Sequence, residues 1–476
     1  MSVPAPIGPK VVFKEMLSTK SGKVGLIMLV GLILLSMLVP LHAPYDVVKA
    51  WNDPRAWVDN PKCAAPEWVE WLTGKKLPRN IVIEPDSRAI LKHDKVMGGV
   101  YKVMWRVIKF RYDYDEFPNF VRAGFKIALI INSTENVLVN ITWIRPDGLS
   151  IVLFYDIIPV TGETVPVIKE YTSKYPDFEE RAYEFAKGIT GKEPETRITQ
   201  LILFAKAGEH MADPHKAEVL KGLYKIWVRI ETFDVNADVE VRFIIFGRVY
   251  GWAGTDIMGR DIAIALLWGA PVALAFGLST SFILAFIHAL FGVVAGWLGG
   301  RVDEFIQKLT QVFMVIPTFP ILVLVSLLYR ISIWSVVAVL VALSPVSGAT
   351  LTVRSMTLQI KEEQYILAAK AYGASGWNMV FKHIFPRVMP YVITNIVTST
   401  PYFVFLEAAL SFLGLGDPVL PTWGKLLHTA QASGALFMGW WWWVLLPAGG
   451  VAITALAFAL LGYSLDKIVN PRLREL

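Results

Sequence analysis

Apolar residues follow three regimes along this chain. The first is one run, Val24 to Leu41, broken only by small or weakly polar residues. At 1.5 Å rise per residue it would make a helix about 27 Å long, enough to cross the hydrocarbon layer of a bilayer. A signal peptide is the alternative. The run is long for that, and Pro40-Leu41-His42-Ala43-Pro44 is a poor small-residue cleavage site. From residue 45 to about 250 no run can span a bilayer. Phe125–Ile131, Val137–Ile144, Ile151–Ile158, Ile226–Phe233 and Val239–Phe246 are short and rich in Val, Ile, Thr and aromatics, which predicts strands. Asn132-Ser133-Thr134 and Arg145-Pro146-Asp147-Gly148 supply turn chemistry, and Pro176–Lys187 and Arg197–Lys216 predict helices. About 200 residues suffice for an independent core. From Ala263 the chain is apolar again, with five expected spans at roughly 268–297, 309–329, 332–350, 388–412 and 443–465. Gly277, Ser279, Thr280, Ser281, Gly292 and Gly296 suit close helix packing in the first of these. Pro317 and Pro320 predict a kink in the next, either lining a pore or merely structural.

The expected fold is therefore a polytopic α-helical membrane protein of six transmembrane helices. A β-rich (α+β) extracytoplasmic domain is inserted between helices 1 and 2. The domains are 1–45 (cytoplasmic N-terminus and first helix), 46–250 (insert) and 251–476 (five-helix core), with a cytoplasmic connection at 351–387.

Composition and charge sharpen this picture. The chain is 54% hydrophobic and only 18% charged, against about 25% charged in an average soluble domain. Its net charge of +6 does not point to nucleic acid, because the basic residues lie beside apolar runs. Cytoplasmic loops carry such an excess of Lys and Arg. Lys10, Lys14, Lys20 and Lys23, opposed only by Glu15, place the N-terminus in the cytoplasm and residues 46–250 outside. Six spans return the C-terminus to the cytoplasm, where Lys467, Arg472 and Arg474 are expected. The lone Cys63 closes no intrachain disulfide, and no Cys/His cluster has metal-ligand spacing. Neither a catalytic constellation nor a metal site is expected. No G-x-x-x-x-G-K-[ST] occurs, so ATP would be bound by another chain. Asn132-Ser133-Thr134 and Asn140-Ile141-Thr142 are glycosylation sequons in the segment expected outside; unmodified surface asparagines are the equal alternative.

The connection before the fifth span reads as a helix, a break and a second helix. Glu362 to Tyr372 holds strong helix formers. Gly373 can take the left-handed conformation that reverses the chain, Ser375 can cap the next helix, and Pro386 should stop it. Ala368, Ala369, Ala371 and Ala374 give the elbow an expected small outer surface, with Glu362, Glu363 and Lys370 to fix orientation. Physically, two readings stay open: insertion into a groove on another protein, or an amphipathic hairpin resting on the membrane.

This segment resembles the "EAA" loop of binding-protein-dependent ABC importer permeases. In the dipeptide/oligopeptide branch the loop is similar to Glu363, Tyr365, Ala368, Ala369, Ala371, Gly373, Ala374, Ser375, His383, Ile384 and Pro386 here. Leu367 stands at the glutamate position and Phe385 at the leucine before proline. Gly254-Thr255-Asp256-Ile257-Met258-Gly259-Arg260-Asp261, followed by Leu267-Trp268-Gly269-Ala270, resembles the branch's G-T-D-x-x-G-R-D signature. Glu407 to Gly416 and Pro421-Thr422-Trp423-Gly424 resemble its third segment. The likeness covers residues 1–45 and 250–476. It implies a permease subunit with no enzyme activity and no cofactor of its own, in a heterodimer with a homologous permease. Two ATPase subunits would carry ATP and Mg, and an extracellular binding protein would deliver peptides, oligosaccharides or other small solutes.

Several residues carry two readings. Thr255, Asp256, Gly259, Arg260 and Asp261 either guide solute at the outer surface or form a local Asp–Arg network, the simpler reading. Glu407 lies within an apolar span, where a carboxylate costs roughly 2.5–3.5 kcal/mol and must face the bundle or water. It suits a solute pathway, a structural role, or the rival function of an ion-coupled secondary transporter. Trp440 to Trp443 are expected in an interfacial aromatic belt.

Overall fold

The computed structural model describes residues 16–121, 123–160, 166–329, 331–373 and 375–469. Lys10, Lys14, Glu15, Ala374, Arg472 and Arg474 lie outside them, as do the side chains of Lys370 and Lys467. The chain divides into two units: residues 1–53 with 263–476, and residues 54–262.

Helix α1 (Lys20–His42) opens the helical unit, with the Thr19 hydroxyl capping the Gly22 N–H at 3.0 Å. The same hydroxyl meets Ser464 Oγ at 2.7 Å, and a methyl group at Gly25 would lie 3.0 Å from the Ala457 carbonyl. Small residues thus bring the first and last helices into near backbone contact, as bundles in lipid favour.

Unit 54–262 is an antiparallel two-sheet structure. Its strands are β1 (Ile81–Ile83), β2 (Ile90–Met97), β3 (Tyr101–Tyr112), β4 (Phe125–Asn132), β5 (Val137–Ile144), β6 (Ser150–Ile158), β7 (Val167–Thr172), β8 (Gly222–Thr232) and β9 (Asp238–Ile245). One sheet has the order β1-β9-β4-β7 and the other β2-β3-β8-β5-β6. Alternation drives this arrangement: in β5, Val137, Val139, Ile141 and Trp143 are fully buried, while the residues between them are half-buried. The core they form is aromatic. Phe110 stacks on Tyr224 at 5.4 Å between centroids, and Phe125 meets Trp143 at 5.0 Å. Such pairs add about 0.5–1.5 kcal/mol beyond area burial. Helices α2 (Pro176–Thr190) and α3 (Thr199–Phe204) join the sheets, beside a five-residue helix at Val69–Thr73. Buried Arg145 closes the end of α3, donating to the carbonyls of Ile202 (2.9 Å) and Ala205 (2.6 Å) while Asp147 balances its charge at 2.7 Å.

The expected helix Arg197–Lys216 is corrected here. Only Thr199–Phe204 is helical, and the chain then turns, with Gly208 at a φ of 154° and Pro214 beyond it. Strands β1, β2, β3 and β7 were not expected.

The rest of the helical unit comprises α4 (Ile262–Leu298), α5 (Gly300–Val315), α6 (Thr318–Tyr329), α7 (Ile333–Leu343), α8 (Gly348–Lys361), α9 (Gln364–Ala371), α10 (Phe385–Phe412), α11 (Trp423–Ala432) and α12 (Trp442–Val469). Four helical runs among the described residues are long and apolar enough to span a membrane: 20–41, 262–298, 376–412 and 442–465. The pairs α5/α6 and α7/α8 bend by 67° and 54° at short breaks, so the count is four to six. The first break holds Pro317, the second Pro345.

Candidate functional site

The connection after α8 is built from its buried side outward. Ile366 on α9 is 1% exposed and packs in one cluster with Val353 of α8, Met379, Val380 and Ile384, and Val388 of α10. Gly292 and Gly296 of α4 continue the contact. Methyl groups there would approach the β-carbons of Val353 and Thr357 at 2.7 Å. α8 is also fixed to α5, where Arg354 grips both carboxylate oxygens of Asp303, one at 2.6 Å. The elbow is therefore continuous with the packed helices α4, α5, α8 and α10.

Gly373 has a φ of 80°, the left-handed conformation expected, and no atom within 4 Å of where a β-carbon would stand. Ser375 caps the following turn, its hydroxyl accepting the Asn378 N–H at 3.4 Å. Two expectations are corrected. Pro386 does not stop the helix. A π-helical turn, Met379–Ile384, leads without a break into α10, where Pro386 occupies the first turn and needs no N–H donor. Nor is the outer surface small. Ala368, Ala371 and Gly373 are exposed and Ala369 is half-buried, but beside them Leu367 (51%), Tyr372 (93%) and Trp377 (70%) are open. Glu363 is half-buried at the head of α9, its carbonyl accepting from Ile366 N at 3.0 Å. The ring of Tyr365 lies 4.9 Å from the Arg387 guanidinium.

Nothing in the sequence reading singled out His288. This buried residue of α4 meets the α7/α8 break, with Nε2 2.8 Å from the Ser344 carbonyl oxygen and Nδ1 3.1 Å from Ser347 Oγ. Ser347 caps α8. A neutral ring donating from Nε2 and accepting at Nδ1 satisfies both contacts. A polar residue within an apolar run was the available signal.

The 254–261 segment folds with unit 54–262 as a closed turn. Thr255 Oγ1 donates to the Pro61 carbonyl (2.7 Å) and accepts the Ala64 N–H (2.9 Å). Asp256, fully buried, accepts from the backbone N–H of Met258 (2.8 Å) and Arg260 (2.9 Å) and from Arg260 Nε (2.6 Å). Gly259 has a φ of 84° and a β-carbon there would meet the Trp57 carbonyl at 2.9 Å. Asp261 pairs with Thr255 in an antiparallel bridge.

In the helical unit, Glu407 is 6% exposed and accepts from Ser411 Oγ at 2.6 Å. It borders a small cavity with Phe276, Ile333 and Asp417. Trp423 joins two motifs: its indole N–H donates to the Leu266 carbonyl at 2.9 Å, and its ring covers Gly269, where a β-carbon would clash at 2.2 Å. Trp442 and Trp443 are buried against the protein, while Trp440 and Trp441 are half-buried. Asn132 ends β4 and is exposed. Asn140 lies mid-strand in β5, its Oδ1 accepting from Thr142 Oγ1 at 3.0 Å. Among the described residues no group of three His, Cys, Asp or Glu side chains is placed to hold a metal.

Residues 288–475 match the family model described as binding-protein-dependent transport system inner membrane component. The chain is 31% identical over 225 residues to the dipeptide transport system permease protein DppC of Bacillus subtilis (strain 168), covering 47% of this chain and 69% of that protein. It is 29% identical over 225 residues to the oligopeptide transport system permease protein OppC of the same organism, covering 47% and 72%. Against the glutathione transport system permease protein GsiD of Pectobacterium atrosepticum, identity is 30% over 225 residues, covering 47% and 73%. The chain belongs to the binding-protein-dependent transport inner membrane components, as a multi-pass ABC permease of the dipeptide/oligopeptide type with a large extra region and no enzyme activity.

Proposed function

We propose that this chain is one of two homologous permeases in a heterodimer that imports peptides, driven by ATP hydrolysis on two separate ATPase subunits. The observation that carries this reading is the elbow. Leu367, Tyr372 and Trp377 form an exposed apolar surface on a segment anchored by Ile366 to the helix bundle. Exposed apolar surface of this kind suits contact with a protein or a membrane, and the likeness to the permease coupling loop favours a protein. An ATPase seated there would move α9, and α9 would carry α8 and α10 with it. Ala368, Ala369, Ala371 and Gly373 set the shape of the seat, with Glu363, Tyr365 and Pro386 flanking it; Lys370 and Ala374 belong to the same stretch of sequence. ATP and Mg belong to the partner subunits.

Six spans, with each bent pair taken as one, would return both termini to one side of the membrane; the lysines before the first span favour the cytoplasm for that side, which leaves residues 46–250 outside, where an extracellular binding protein would deliver solute. Asn132 and Asn140 would then be open to glycosylation. Peptide is the preferred solute because relatives are named for dipeptide, oligopeptide and glutathione transport. The buried, fully bonded Asp256–Arg260 pair supports a structural role for the 254–261 turn, while Glu407 stays a candidate for the pathway. Reconstitution with the partner subunits tests the reading. Labelled peptide should accumulate in proteoliposomes only with ATP on the ATPase side. Accumulation driven by an ion gradient without ATP would overturn it.

A further inference from the structure

One face of α4 follows the bent pair α7/α8 along its length. Leu284, His288 and Gly292 are spaced four residues apart, so they lie one above the other on that helix. Leu284 packs in one cluster with Val336, Val337 and Leu340 of α7. Gly292 lies against α8, where a β-carbon would meet the Thr350 carbonyl oxygen at 2.6 Å. His288 falls between them, at the break itself.

The break frees groups at both of its edges, and the ring bonds one on each. Pro345 has no N–H and keeps Ser344 out of the helical region, at a φ of −139° and a ψ of 49°. The Ser344 carbonyl, without a place in the helical ladder, accepts from His288 Nε2 at 2.8 Å. On the α8 side, Ser347 Oγ accepts the Ala349 N–H at 3.2 Å and gives its own proton to His288 Nδ1 at 3.1 Å. An imidazole holds its donor and its acceptor in one rigid ring. The end of α7 and the start of α8 are therefore tied to one side chain of a third helix. The two halves lead to different places. α8 ends at the elbow, and its Val353 shares a cluster with Ile366 of α9. α7 begins at Ile333, whose N–H donates to Asp417 at 3.1 Å beside the Glu407 cavity.

We propose that His288 is a positioning residue that fixes the 54° bend, so that α7 and α8 move as one lever between the elbow and the Glu407 cavity. The fixing of the bend rests on the hydrogen bonds above. Its part in transport rests on the ATPase coupling proposed for the elbow.

Spin-label distances in the full-length chain in nanodiscs test it. The labels sit at Trp334→Cys and Leu358→Cys, both exposed, with Cys63→Ser removing the native thiol. Along a straight helix the two positions would stand about 36 Å apart, and a 54° bend midway shortens this by about a tenth. The native chain should give one narrow distribution. His288→Leu, which fills the site without a hydrogen bond, should at least double its width. His288→Gln, which keeps a donor and an acceptor, should restore it. Should His288→Leu fail to fold, Ser347→Ala removes the α8 bond alone and should broaden the distribution in the same sense. Native width in His288→Leu or in its substitute Ser347→Ala, or a His288→Gln distribution as broad as theirs, overturns the assignment. Reconstituted with the partner subunits, His288→Leu should import about fivefold less peptide per ATP hydrolysed, with His288→Gln near native, and an unchanged ratio overturns the lever. Native ATP-driven uptake with no change of width sinks the pivot alone, and the expected widths without ATP-driven uptake sink the transport reading alone.

Discussion

Replacing Asp256 with alanine should loosen the 254–261 turn by an amount the structure sets. Its carboxylate is fully buried and takes three hydrogen bonds, at 2.6, 2.8 and 2.9 Å, one of them from the Arg260 guanidinium. The variant removes the Asp256 carboxylate from the Arg260 guanidinium and from two backbone N–H groups. Breaking a buried pair in this way costs about 3–5 kcal/mol. At about 1.4 kcal/mol per tenfold, the open form of the turn rises roughly a hundred- to several-thousand-fold. Cys63 reports this directly. It is the chain's one cysteine, it is buried, and its N–H donates to the Asp256 carbonyl at 2.9 Å. Burial pushes its thiol up to about 12, so labelling proceeds through opened molecules. The assay is the rate of thiol labelling of the full chain in nanodiscs. Asp256→Ala should speed it by the factor above, and Asp256→Ala with Arg260→Met should recover part of the loss, because a buried cation no longer has to be held without the Asp256 carboxylate. Unchanged labelling in Asp256→Ala with abolished uptake would refute the reasoning and make the carboxylate a solute contact.

Gly373→Val forces a β-branched residue into the left-handed region at a cost of about 1–2 kcal/mol. ATP-driven uptake should fall while ATPase association persists. Association and uptake both at wild-type level would exclude the elbow from coupling. Trp423→Ala removes a buried indole that fills the space over Gly269 and bonds to Leu266. A loss of about 3–5 kcal/mol is expected from large-to-small core data, read as a lower unfolding midpoint in detergent. Acid should free segment 54–62. Burial alone would raise the Asp59 carboxyl, but the hydrogen bonds from Lys126 and Arg242 outweigh it and hold the folded value below the ordinary one. A lowered folded pKa stabilises above the unfolded value, about 3.9, and that contribution is lost as pH falls through the folded value. Pepsin should therefore cut within 54–62 only well below pH 4 in the native chain, and Asp59→Asn should be cut at higher pH.

Much of this architecture was visible in the chain. Strands β4, β5 and β6 announce themselves as dense Val/Ile/aromatic runs with turn residues between them, and α1, α4 and α12 as long apolar runs. Strand β3 was missed because Lys102, Arg106, Lys109 and Arg111 break its apolar run, although Ile108, Phe110 and Tyr112 still reach the core. Strand β2 was missed because seven of its eight residues are exposed. The helix through Pro386 was illegible locally, since only the widened turn at 379–384 makes room for the proline. The elbow's glycine and alanines could be read directly. Its apolar outer surface could not, because exposure of Tyr372 and Trp377 depends on Ile366 being the residue that turns inward.

Co-purification of the partner ATPases with the tagged full chain tests coupling through the elbow most directly. The account predicts stoichiometric ATPase on the native chain and its loss from Tyr372→Asp with Trp377→Asp, a variant whose exposed side chains leave the helix bundle intact. ATPase retained at the native level on that variant would contradict it.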